Sequence, residues 1–329
     1  MSGMYASNSA LHGQLAVTTT ISILFLADLI GNTFVILIIL TNKSMKSPMN
    51  YLLVNLAVSD IMVGTFFSLQ YIFGDKFNLP DLLAGTMMCK LFTGGNFAWV
   101  GAVGSSVSLV AACFERYFAV VHPFSMKLKL TFEKVKKIVM FTWIFALVMN
   151  IPSFITTDYD LELGRCEEIW PAEHTWLAKA YSTVWTLLEG ITPTTIMFVL
   201  YTRVIYDLWF KQNQVQGAQR AILKSRKRVT KMLVIISVIY AVCWLPDCIM
   251  YTLHHYGIHY SYVNSLCTML LIMFNSAINP FIYSLQSEKF RRHLKALVSC
   301  KKLRQNQIRG TDFSASRTRA AALSENTKL

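Results

Sequence analysis

Residues 50–74 read NYLLVNLAVSDIMVGTFFSLQYIFG, and the only charged side chain in them is Asp60, near the middle. A bilayer core takes about 20 mostly apolar residues per helix, so this stretch is long enough to cross a membrane. Six further stretches of the same kind surround it, at 16–41, 86–119, 136–155, 178–206, 230–255 and 261–285. Seven crossings predict an all-α membrane protein, a seven-transmembrane helix bundle with its termini on opposite sides. The runs at 86–119 and 178–206 are long enough to tilt or to project beyond the lipid. Composition agrees: 54% of the 329 residues are hydrophobic and 15% charged, against about 25% charged in a soluble domain. An ordinary cytosolic enzyme, a disordered tail protein and a disulfide-stapled secreted module are excluded.

The net charge is +13, and a basic excess would ordinarily suggest nucleic acid. Its distribution says otherwise. Segments 42–49, 116–137, 203–231 and 286–329 hold 27 of the 31 Lys and Arg, while the intervening loops hold only Lys76, Lys90, Arg165 and Lys179. By the positive-inside rule the first set is cytoplasmic and the N-terminus extracellular. No nucleic-acid partner is expected, and the protein is assigned to the plasma membrane as a multi-pass chain. Residues 1–15 form a short extracellular segment without a basic n-region or cleavage site, so the first span is expected to serve as an uncleaved insertion signal. The bundle domain covers 16–285, an amphipathic eighth helix 286–300 and a disordered cytoplasmic tail 301–329. In SEKFRRHLKALVSC (287–300), Phe290, Leu294 and Leu297 share a face while Arg291, Arg292, His293 and Lys295 can meet lipid headgroups. Cys300 beside this helix is a candidate palmitoylation site, a free thiol being the alternative.

Polar groups inside spans are costly and mark function by default. Asp28, Asp60, Glu189 and Asp247 lie well inside spans, while every Lys within those bounds sits at or near a span end. Ser105 in GSSVS and Asn275 and Asn279 in NSAINP match Asp60 in depth, as does Asn32. A carboxylate ringed by hydroxyls and amides resembles a monovalent-cation site; a protonated Asp held by hydrogen bonds gives the same pattern. Prolines also fall inside spans, at 152, 193, 246 and 280, where each bends its helix.

Taken together these residues resemble a rhodopsin-like (class A) G-protein-coupled receptor, most like its peptide-receptor groups. The resemblance rests on Asn32 in GN, Asp60 in LAVSD, Glu115-Arg116-Tyr117 and Trp143. It continues through Pro193 with Tyr201, Trp244 and Pro246 in CWLP, and Asn279, Pro280 and Tyr283 in NPFIY. It implies that Glu115 restrains Arg116 in the resting bundle, that Trp244 acts as an aromatic switch beside the Pro246 bend, and that Tyr201 and Tyr283 meet around Arg116 in the active state. It also implies a sodium site at Asp60, Ser105, Asn275 and Asn279, and a disulfide from Cys89 to Cys166 across the pocket mouth. Cys113, Cys243, Cys248 and Cys267 read as small core residues. Two positions depart from the family: Ser106 and Tyr240 stand where its packing trigger has an aliphatic residue and a Phe.

The ligand is less legible. The aminergic helix-three Asp is replaced by Ala98, and the retinal Lys by Met273, so opsin chemistry is excluded and no cofactor is expected beyond an allosteric sodium ion. Glu189, one helical turn before Pro193, and Asp247, three residues after Trp244, are expected to face the cavity near Gln70, Trp99, Tyr251, His254 and Met269. Two unpaired carboxylates favour a cationic ligand group; a protonated carboxyl, or His254 pairing with Asp247, would require none. Eight acids in the outer loops would steer cations inward. The leading expectation is a short basic or amidated neuropeptide. A small amine held by Glu189 or Asp247, or an opsin-related receptor without retinal, is the alternative. A heterotrimeric G protein, arrestin recruited by tail phosphorylation and the lipid bilayer are the other partners expected. The seven His form no ligand-spaced metal cluster, no nucleophile set suggests an enzyme, and no repeated halves suggest a transporter.

Overall fold

The computed structural model describes residues 2–74, 82–211 and 218–299. Cys300, the tail from 301, and Asp75, Lys76 and Asp81 lie outside them. Among the described residues seven helices are long and apolar enough to cross a membrane. They are α1 (Ser2–Thr41), α2 (Pro48–Phe73), α3 (Leu82–Val121), α4 (Phe132–Thr156), α5 (Ala172–Phe210), α6 (Ala218–His255) and α7 (Tyr262–Gln286). In hydrocarbon each backbone N–H and C=O must be satisfied within its own segment, which is why these runs are helical. Local chemistry sets where they start. Ser47 accepts the Asn50 N–H at 3.2 Å ahead of Pro48, and Thr131 accepts the Lys134 N–H at 3.3 Å.

Two helices carry irregular turns that matter for the site. α3 has a wide π turn at Cys89–Thr93 followed by a break at Gly95, whose φ of 77° places it in the left-handed region. α5 has a π turn at Thr186–Ile191, just before Pro193.

Between α4 and α5 the chain departs from all-α. β1 (Thr157–Asp160) pairs antiparallel with β2 (Arg165–Glu168), placing Tyr159 opposite Cys166. Four-residue strands are too short for periodicity to reveal. The hairpin is secured from outside by the Cys89–Cys166 disulfide, which ties β2 to the end of α3. Asp160 Oδ1 also accepts the N–H groups of Glu162 and Leu163 within the turn, at 2.8 and 2.9 Å.

α3 is the central element, packed against α2, α4, α5 and α6. Its buried face is built from small residues, among them Ala98, Gly101, Ala102, Gly104, Ser105, Ser106 and Ser108, and small residues let membrane helices approach closely. A Cβ at Gly101 would lie 2.7 Å from the Ser59 carbonyl oxygen of α2, and one at Gly104 2.5 Å from the Ser59 hydroxyl. That proximity lets short polar groups bridge three helices. Asn55 Nδ2 donates to Ser108 Oγ (2.8 Å), and the Trp143 indole donates to Asn55 Oδ1 (3.1 Å). Of the cysteines expected in the core, Cys113, Cys243 and Cys248 are buried, but Cys267 is exposed, because it falls on the outward face of α7.

The second compact unit contains α8 (Glu288–Val298), capped by Ser287, whose hydroxyl accepts the Phe290 N–H at 3.2 Å. The close approach of α2 and α3 yields a graded expectation. Gly101→Ala pushes against rigid backbone and should lower stability by about 1–3 kcal/mol. Gly104→Ala meets the rotatable Ser59 hydroxyl first, with the Ser59 Cβ at 3.3 Å, and no backbone atom, and should cost less. Thermal melts of the two purified variants, ranked against wild type, check the order.

Candidate functional site

Two cavities lie at the hairpin end of the bundle. The larger, about 290 Å³, is lined by Gln70, Trp99, Glu168, Tyr181, Trp185 and Tyr251, among others. The smaller, about 150 Å³, is lined by Phe67, Trp99, Asp247, Tyr251, Thr268 and Met269, among others. Trp99 and Tyr251 line both. Aromatic edges build the floor: the Trp99 ring lies 5.8 Å from Trp185 and 6.3 Å from Trp244. Among the described residues no lysine or arginine lines either cavity.

The acids are arranged differently from what the spacing suggested. Asp247 does line the smaller cavity, and its Oδ1 accepts from Thr268 Oγ1 at 2.8 Å. His254 does not pair with it there; it is exposed, lines neither cavity, and its ring lies 5.6 Å from His259. Glu189 also lines neither cavity. It is 2% exposed and turned into the bundle, where Oε2 accepts from Ser106 Oγ at 2.6 Å and its backbone carbonyl accepts from the Tyr240 hydroxyl. The π turn at Thr186–Ile191 breaks the four-residue register on which the expectation rested. Ser106 and Tyr240, the two departures at the packing trigger, are therefore both bonded to Glu189, one at its carboxyl and one at its backbone carbonyl.

Two acids line the larger cavity, Glu167 and Glu168, and the one turned to its aromatic wall is Glu168, two residues after the disulfide Cys166. Its Oε1 accepts from the Tyr251 hydroxyl (2.8 Å) and the Trp170 indole N–H (2.9 Å). The residue stays exposed at its edge, yet the protein crowded around the carboxyl raises its pKa above the ordinary glutamate value, while the bonds from Tyr251 and Trp170 pull it down. Neighbouring Glu167 is already paired with Arg165 at 2.6 Å. In the sequence Glu168 reads only as loop charge, and its proximity to Cys166 is the signal that marks it.

Deeper, the structure gathers the polar residues of α1, α2, α3 and α7. Asp60 accepts from Ser105 Oγ (3.0 Å) and Asn279 Nδ2 (2.8 Å). Asn32 Nδ2 donates to Asp28 Oδ1 (2.7 Å) and to the Ser276 carbonyl (3.2 Å). Asn275 is buried nearby on α7 with neither side-chain atom hydrogen-bonded, and Asn279 Oδ1 is likewise unpartnered. At the opposite end of the bundle Arg116 is ion-paired with Glu115, and Tyr117 packs edge-on against His122. Tyr201 and Tyr283 are buried on α5 and α7, Trp244 is buried beside Tyr240 on α6, and Pro246 and Pro280 lie inside their helices.

Residues 31–283 match the family described as 7 transmembrane receptor (rhodopsin family). The chain belongs to that family. Among curated relatives of this rhodopsin-family chain, the thyrotropin-releasing hormone receptor of Gallus gallus is 27% identical over 90% of this chain and 82% of its own length. Neuromedin-U receptor 2 of Mus musculus is 29% identical over 87% and 76%. Neuropeptide receptor 22 of Caenorhabditis elegans is 28% identical over 82% and 66%. The chain is a rhodopsin-family receptor of the multi-pass plasma-membrane type, with peptide-receptor relatives.

The Ser106–Glu189 bond makes a prediction. Removing the hydroxyl with Ser106→Ala strips the donor from a carboxyl whose Oε1 is already unpartnered, and should cost about 1–3 kcal/mol. Glu189→Leu in the same background removes both polar partners and should restore most of the loss. Thermal denaturation of the single and double variants measures this; an Ser106→Ala variant as stable as wild type contradicts it.

Proposed function

We propose that this receptor binds a short cationic peptide at the hairpin end, taken as extracellular, and activates a heterotrimeric G protein at the other. The observation that carries the ligand class is the pair of acids, Glu168 at the larger cavity and Asp247 at the smaller, in walls to which no lysine or arginine among the described residues contributes. A guanidinium, ammonium or free N-terminus is the group that such walls attract. Gln70, Trp99, Tyr251 and Met269 complete the contacts; Glu189 and His254 are not assigned to them. The relatives named for thyrotropin-releasing hormone, neuromedin U and a neuropeptide support a peptide over other ligand classes. A small amine at Asp247 is the second reading, favoured by the limited size of the smaller cavity.

In the mechanism proposed, the ligand binds one of two bundle arrangements more tightly and so shifts their populations. Its contacts on α3 and α6 act through Trp99 and Trp244 onto Tyr240 and the Ser106–Glu189 bond. α6 swings outward about the Pro246 bend, Arg116 leaves Glu115, and Tyr201 and Tyr283 gather around it. Tyr117 and the NPFIY segment, Asn279 to Tyr283, belong to the same switch. Asp60, Ser105, Asn275 and Asn279 fit a sodium ion: one carboxylate, one hydroxyl and amide oxygens, two of them unpartnered. Sodium there favours the resting arrangement. Arrestin at a phosphorylated tail and palmitate on Cys300 are proposed on sequence grounds alone.

Nucleotide exchange on purified G protein, with a library of short basic peptides and amines, tests this reading. Asp247→Asn with Glu168→Gln should weaken a cationic agonist at least tenfold, about 1.4 kcal/mol; unchanged potency refutes the acidic cavity. Because burial raises the Glu168 pKa, its carboxylate protonates at a higher pH than an ordinary glutamate. Affinity for a cationic peptide should therefore be full at neutral pH and fall on acidification, and Glu168→Gln should flatten that profile in a binding titration. Separately, replacing choline by sodium should lower agonist affinity in wild type and leave Asp60→Asn unaffected.

A further inference from the structure

Behind the ligand cavity, on the outward side of α4 and α5, lies a larger hollow of about 470 Å³. Pro152 and Ile155 of α4 wall one side and Ala180 and Val184 of α5 the other, with Trp170 and Pro171 of the strap after β2 across the top. Carbon makes up nearly all of the lining, and among the described residues no charged side chain contributes to it. Ile155 and Val184 are 66% and 45% exposed. Apolar side chains so exposed on membrane-crossing helices have hydrocarbon as their only favourable neighbour. The hollow is therefore continuous with the lipid-facing surface and separate from the cavities that hold the acids.

One aromatic wall divides it from the ligand cavity. Tyr181 lines both spaces, and its hydroxyl donates to the Met149 carbonyl at 3.2 Å. Trp170 caps the hollow while its indole N–H holds Glu168, the same carboxylate oxygen that accepts from Tyr251. The Trp170 and Tyr181 rings lie 5.5 Å apart. Amphipathic rings of this kind sit at the membrane–water boundary, with one edge in lipid and one in the polar layer.

We propose that this hollow binds one acyl chain of a phospholipid from the leaflet on the hairpin side, and that the bound chain braces Trp170 and Tyr181 as the back wall of the ligand cavity. A hollow without an occupant forfeits dispersion contacts over its whole lining, and a hydrocarbon chain restores them without needing a polar partner. With no charged side chain in the walls among the described residues, the acyl chain rather than the headgroup is what is recognised. Lipid occupancy then sets the position of Glu168, and through it the shape of the site proposed for the peptide. The lipid contact stands independently of the peptide reading, whereas this coupling rests on it.

The full chain reconstituted in phosphatidylcholine nanodiscs, with a fraction of the lipid carrying a diazirine on its acyl chain, tests the contact directly. After irradiation, adducts should concentrate on Ile155, Ala180 and Val184, several-fold above Leu26 and Phe198, which are also apolar and exposed (52% and 73%). Ala180→Phe, or Val184→Trp as a second filling variant, should remove that excess while leaving labelling at Leu26 and Phe198 unchanged, which also shows that the variant is folded. Even labelling over all exposed apolar positions, or an excess that survives both fillings, overturns the site. Hydrogen exchange tests the coupling without any ligand. Amides of residues 165–170 should exchange more slowly in nanodiscs than in lipid-free detergent for wild type, and alike in both for Ala180→Phe. A wild-type strap indifferent to lipid overturns the coupling while leaving the contact arm intact.

Discussion

The backbones of α2 and α3 are brought together at Gly101 and Gly104 against Ser59, and much of the polar chemistry depends on that closeness. Between membrane helices lipid offers no hydrophobic drive, so association relies on close packing and on interhelical hydrogen bonds. Serine and asparagine side chains are short. They bridge helices here only because small residues let the helices approach, and the Asn55–Ser108–Trp143 clasp and the Ser105–Asp60 bond both follow from it. A larger residue at these glycines would separate the groups on which the proposed sodium site and switch depend.

Around that central helix pair three carboxyls within the spans take three different positions. Asp60 is held between α3 and α7, Glu189 between α3 and α6, and Asp247 between α6 and α7. Glu189 is the informative one. Ser106 and Tyr240, the two positions that stood out from the pattern the resemblance implies, make sense once both are found bonded to Glu189. The hydroxyl of Ser106 and the phenol of Tyr240 both donate toward Glu189, so the departure from the family pattern is internally matched. This links the cavity floor, through the stacked Trp244 and Tyr240 rings, to the middle of the bundle.

The hairpin end shows a different economy. A single disulfide fixes β2 over the bundle, and within two residues of it Glu168 is placed against Tyr251. The same strap continues into Trp170 and the outward hollow, so ligand cavity and lipid surface are separated by one layer of aromatic rings.

Hydrophobic run lengths by themselves determined seven helices, because the bilayer imposes one length and one satisfied backbone on every crossing. Motif residues in those runs, Asp60, Glu115-Arg116 and Asn279-Pro280, were legible because each stands out chemically in an apolar background, and the family match followed from their order. Side-chain direction was not legible. It depended on one extra residue in the α5 turn, which moved Glu189 from the cavity to the core, and on a covalent tie between Cys89 and Cys166, which moved Glu168 from loop to cavity wall. Helical spacing predicts facing only while the helix keeps its regular period, and loop position follows from cross-links that composition does not reveal. Only the tertiary structure could decide which acids a ligand would meet.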